Sequence, residues 1–167
     1  MIRSRWLFIP LLLNVLFPNA AMSQGQAVAV SAGRDGTAQI TLANGEKTTI
    51  QKESGQVGIS EPKKAPDGTV GWLAEYKVEG VSYPIAGTLI IWRAGKIIRR
   101  FQTGQSFYSW MFYAQGKQVA YHVGPLHGEL KSHCELHDAT SGRLLAVWDG
   151  DIESGSNRPA WTKGLSH

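Results

Sequence analysis

From residue 27 onward the chain alternates between short apolar runs and clusters of turn-forming residues. Between residues 109 and 150 there are four such runs, at 109–113, 118–123, 133–137 and 144–148. They are separated by Ala114-Gln115-Gly116, by a polar loop and by Thr140-Ser141-Gly142. Runs of five or six residues punctuated in this way predict an up-and-down antiparallel sheet. The pattern recurs: residues 65–76 parallel 113–123, residues 89–101 parallel 135–148, and residues 158–164 parallel 108–116. Gly68, Gly116 and Gly164 are spaced 48 residues apart, and Gly45, Gly95 and Gly142 are spaced by 50 and 47. A period of about 40–50 residues with several strands per unit predicts propeller-like blades rather than solenoid coils. The expected fold is therefore all-β, built of antiparallel β-meander repeats of about 48 residues. A two-sheet sandwich is the alternative.

The expected units cover residues 27–51, 54–101 and 106–149, with the start of a further blade strand at 158–164. In the first unit Ala38, Ile40 and Leu42 alternate with polar residues, as in a half-buried strand, and Ala43-Asn44-Gly45 makes a tight turn. Its polar outward face and lack of aromatics place it at an edge. In the second unit Val70, Trp72 and Ala74 point one way and Gly71, Leu73 and Glu75 the other, while residues 89–92 read as a strand buried on both faces.

Two stretches, Ala65-Pro66-Asp67-Gly68-Thr69-Val70-Gly71-Trp72 and Pro159-Ala160-Trp161-Thr162-Lys163-Gly164, resemble the PAWSPDGK signature of WD40-like propeller repeats of the TolB type. The segment from His137-Asp138-Ala139-Thr140-Ser141-Gly142 to Leu145 is similar to the LWDxxTGxxL segment of WD40 blades. The Asp-Gly turn of the signature is absent at Gln115-Gly116 and at Lys163-Gly164, and His137 stands where those blades usually carry Trp. The resemblance implies a structural and interaction role, because such repeats are generally not catalytic. Propellers usually close with about four to eight blades, and this chain supplies fewer. Three solutions follow: copies associate to complete a ring, the units collapse into a sandwich, or a protein partner completes the assembly.

The first residues change the charge argument. Arg3 and Arg5, an apolar run from Trp6 to Phe17, and Ala21-Met22-Ser23 predict an export signal at residues 1–23, cleaved after Ser23. The apolar run is shorter than the 20 or so residues that span a bilayer, so no membrane span is expected after cleavage, and the expected location is periplasmic or secreted. Of 17 Lys and Arg, two lie in this leader, while all 13 acidic residues lie beyond it. The remaining excess is small and scattered, and it gives no basic stripe for nucleic acid. The single cysteine, Cys134, excludes an internal disulfide and reads as a small buried hydrophobe.

For chemistry, four of the five histidines fall between residues 121 and 138. If a hairpin sets His122 and His133 on the same rung, then His122, His133 and either His127 or Glu135 form a candidate zinc or copper site. The spacing matches no established metal signature. The acidic run Asp149-Gly150-Asp151-Ile152-Glu153 lacks the sixth-position glycine and twelfth-position acid of a calcium loop. No nucleophile elbow, phosphate-binding loop or dinucleotide fingerprint is present. Trp72, Trp92, Trp110 and Trp148 occupy repeat positions and are expected to serve the core. The expected function is a non-catalytic binding or assembly module that works through a protein partner or self-association. Tyr83, Pro84 and His127, on long loops of one rim, are the candidate contact residues. The alternative is a small metal-binding protein or metal-dependent hydrolase centred on the histidines.

Overall fold

The computed structural model describes residues 25–126, 133–150 and 157–166. Within them the chain is all-β, with eleven strands and two 3-10 turns. The first sheet contains β1 (Ala27–Ala32), β2 (Ala38–Leu42) and β3 (Lys47–Ile50). The second contains β4 (Gln56–Lys64), β5 (Val70–Tyr76), β6 (Ile85–Arg93) and β7 (Lys96–Phe101). The third contains β8 (Ser106–Tyr113), β9 (Gln118–Gly124), β10 (His133–Asp138) and β11 (Leu144–Asp149). Each strand pairs antiparallel with its sequence neighbours, so every sheet is an open meander. No helix among the described residues is long and apolar enough to cross a membrane. The leader expected at 1–23 lies outside the described residues.

Turn chemistry explains why the chain reverses where it does. Gly68 joins β4 to β5 and Gly116 joins β8 to β9, both at positive φ (80° and 93°), a region that glycine enters without a Cβ penalty. Beside Gly68 the carboxylate of Asp67 accepts the Thr69 backbone N–H at 2.9 Å, which locks the turn. Gly95 and Gly142 play the same part between the third and fourth strands of their sheets. Arg93 ties the two sheets together at this end. Its guanidinium donates to Asp67 and to the Gly116 carbonyl, each at 3.1 Å, and its Nε–H donates to Thr69 Oγ1 at 2.6 Å.

The sheets stack face to face, with the second in the middle. Val70, Trp72, Ala74, Ile90 and Trp92 pack against Ala27, Ala38 and Ile40 of the first sheet. On its other face Leu73, Leu89 and Ile91 pack against Phe107, Trp110, Val119, Tyr121 and Val123 of the third. A central sheet that is apolar on both faces is the packing its near-continuous hydrophobic runs require. Trp110 is seated directly on Gly71: a Cβ there would lie 2.8 Å from both the Trp110 ring and the Ile90 carbonyl. The indole N–H donates to the Glu61 carbonyl at 3.1 Å, and Lys63 lies 5.2 Å from the ring centroid. Glu61 occupies a bulge in β4 at φ 46°, which turns that carbonyl towards Trp110.

The outer face of the third sheet, formed by Ala120, Cys134 and Leu136, is covered by Trp161 and Leu165. Residues 158–164, expected to begin another strand, do not. Ala160–Thr162 is a 3-10 turn following Pro159, and Gly164 joins no two strands. Pro159 has no N–H to give to a ladder, and Trp161 is buried by lying on a sheet rather than extending one.

Candidate functional site

Three strands of the third sheet bring its polar side chains together. In the β9–β10 ladder His133 lies opposite Val123, Glu135 opposite Tyr121 and His137 opposite Val119. In the β10–β11 ladder His133 lies opposite Asp149. Directly opposed residues share a face and successive residues alternate. Tyr121, His133, Glu135, His137 and Asp149 therefore lie on the face turned towards the second sheet.

Glu135 is the centre of this cluster. The Tyr121 hydroxyl donates to its Oε2 at 2.6 Å, His137 Nε2 lies 2.5 Å from the same oxygen, and His133 Nε2–H donates to Oε1 at 2.9 Å. The far nitrogens are also engaged. His133 Nδ1–H donates to Asp149 at 2.5 Å, and His137 Nδ1–H donates to the Gly142 carbonyl at 3.0 Å. Tyr121 and His137 are stacked, with centroids 5.2 Å apart, and Phe101 and Phe107 close around them. The cluster thus runs from the buried Tyr121 and His137 out to Asp149, whose side chain is 66% exposed.

Its protonation follows from that environment. Burial alone would raise the Glu135 pKa, but hydrogen bonds from Tyr121, His137 and His133 outweigh it and hold the carboxyl below its ordinary value. Burial alone would lower the His133 pKa, but the flanking Asp149 and Glu135 outweigh it and hold it above. Burial, then the Glu135 hydrogen bond and charge, raise the Tyr121 hydroxyl far out of its usual range. The cluster is an internally hydrogen-bonded group. No serine or cysteine among the described residues hydrogen-bonds either His133 or His137.

The expected rung of His122 and His133 is not formed. His122 lies opposite Cys134, on the other face of the sheet, where it is buried and its Nδ1–H donates to the Ser166 carbonyl at 3.2 Å. A one-residue difference in register moves a side chain through the sheet. The structure therefore brings His133 and Glu135 together but leaves His122 apart. His127 lies outside the described residues. Among the described residues no three His, Cys, Asp or Glu side chains are arranged to hold a metal ion. Tyr121 was not singled out in the sequence, and Asp149 and His137 were noted there only as part of an acidic run and at the Trp position of a blade. The signal for His137 was available, since 133, 135 and 137 alternate onto one face; Tyr121 and Asp149 depend on pairing across strands.

Openings flank this end of the sheets. One, of about 670 Å³, is lined by Thr103, Gln105, Val123, Pro125, His133, Glu135 and Asp149. Another, of about 280 Å³, runs between the second and third sheets. Tyr83 and Pro84 on its rim face Tyr108 and Leu126, with Leu73 and Phe107 as its floor. Tyr83 is 58% exposed. Cys134 sits on the opposite face, and burial pushes its thiol up to about 11. Comparison with protein-family models and with curated proteins found no match to this chain.

Proposed function

We propose that this protein is an exported, non-catalytic binding or assembly module whose contact surface is the loop-bearing end of its second and third sheets. The observation that carries this reading is that Tyr83 and Pro84, from the connection between β5 and β6, line the same groove as Leu126, which follows β9. Equivalent connections of neighbouring repeats thus converge on one rim, while the other end is closed by the glycine turns and the Arg93 tie. Outgrown loops on a rigid stack are where contact residues are placed. Exposed Leu144 and Val147 on β11, the outermost strand of the third sheet, support assembly through that edge.

The test places a photoreactive phenylalanine analogue at position 83 or at position 96, exposed at the glycine-turn end, in the protein expressed with its leader. Crosslinking to one discrete partner or to a second copy from position 83, with none from position 96, is the expected result. Equal labelling from both positions, or none from either, overturns the proposal.

A further inference from the structure

We infer that the groove between the second and third sheets accepts a single cationic side chain, a lysine or arginine, of a protein partner, with Glu75 as its counter-charge. This inference rests on the loop-end reading above and names the chemistry of the contact. Glu75 lines the groove from β5 and is only partly exposed. Its carboxylate lies over Gly58, where a Cβ would approach Oε2 to 2.6 Å, so the glycine makes its seat. The groove's other carboxylate, Glu61, is already paired with Lys63 at 2.8 Å. Glu75 has no hydrogen bond or ion pair among the described residues.

A carboxylate without a partner is open to a charge-assisted hydrogen bond from a cation entering from outside. The remaining walls suit a long aliphatic stem that ends in a charge. Leu73 and Phe107 form an apolar floor, and Tyr83 and Tyr108 line the walls. At about 280 Å³ the groove lies at the small end of the range of ligand sites, roughly 300–1,000 Å³, and has room for one long side chain. A charge-complementary side chain presented by a protein fits the exposed rim of Tyr83.

The test is an amide-shift titration of the protein by NMR with the N-acetyl methylamides of arginine and lysine, using that of citrulline as the neutral isostere. Expected are saturable shifts at residues 61, 75 and 83 with arginine or lysine, weakened by added salt and about tenfold by Glu75→Gln. Lys96→Arg, exposed at the opposite end, should leave the titration unchanged. Citrulline binding as well as arginine, or an unchanged titration in Glu75→Gln, overturns the inference. Glu75→Asp checks that charge is the determinant, since it keeps the charge and should retain partial binding; Glu75→Asp binding no better than Glu75→Gln, both with native spectra, counts against the inference. The two readings fail separately. If position 83 still crosslinks in Glu75→Gln, the loop-end contact stands without the cation; if the wild-type rim captures nothing, the loop-end reading falls whatever the titration shows.

Discussion

Gly71→Ala tests the contact that fixes the second sheet against the third. The new methyl would lie 2.8 Å from the Ile90 carbonyl and from the Trp110 ring, and 2.9 Å from Ile91 Cδ1. The carbonyl belongs to the adjacent strand and Trp110 is fully buried, so neither yields without moving backbone or core. Overpacking of this kind costs about 1–3 kcal/mol. Trp110→Phe removes the contacting ring edge and the hydrogen bond to Glu61, at about 1–2 kcal/mol for the hydrogen bond and lost volume. If the Trp110 contact is the source of half the strain, the double variant should fall short of the sum of the singles by about 1 kcal/mol, the size expected for touching residues. Urea unfolding followed by tryptophan fluorescence measures all three. A Gly71→Ala variant within about 0.5 kcal/mol of the parent would show that the interface is not close-packed. Strict additivity would show that the strain does not pass through Trp110.

The histidine cluster gives a signed pH dependence. The Glu135 pKa is lowered by its hydrogen bonds, so its contribution is present above its ordinary 4.5 and is lost as pH falls through the folded value. The His133 pKa is raised, so its contribution is complete below 6.5 and is lost as pH rises through the folded value. The stability difference between wild type and Glu135→Gln should therefore be greatest between about 4.5 and 6.5 and shrink on either side; a difference that is flat with pH would contradict the assignment. Cys134, fully buried with its thiol pushed up to about 11, should resist a thiol reagent at mildly alkaline pH until denaturant is added. Zinc should leave the melting temperature of wild type and His122→Ala equally unchanged, because His122 and His133 lie on opposite faces; a shift abolished by His122→Ala would show a site that this arrangement does not contain.

The difference between what was legible in the sequence and what was not is physical. Apolar side chains on both faces of β5 and β6 leave only one solution, a sheet covered twice, and alternation separates Val70 and Trp72 from Leu73 without knowledge of any neighbour. The turn glycines are equally local: positive φ at Gly68, Gly95, Gly116 and Gly142 is a demand that each turn makes by itself. Register is not local. Which residue of β9 faces His133 depends on how residues 125–132 are divided between strand ends and loop, and a single step exchanges Val123 for His122 and turns an assumed ligand pair into side chains on opposite faces. The same reasoning explains Trp161. Its segment has the composition of a strand start, but Pro159 has no N–H to give to a ladder, and the face of Ala120, Cys134 and Leu136 buries Trp161 directly. The polar cluster combines both cases: the alternation of His133, Glu135 and His137 is written in β10, but the charge state of the group is decided by Tyr121 and Asp149, contributed across two ladders by strands on either side. A site assembled in this way can be read only once the pairing is known. That Tyr83 and Pro84 lie on the connection between β5 and β6 was written in the loop, while the groove they share with Glu75 and Tyr108 depends on how the second and third sheets stack.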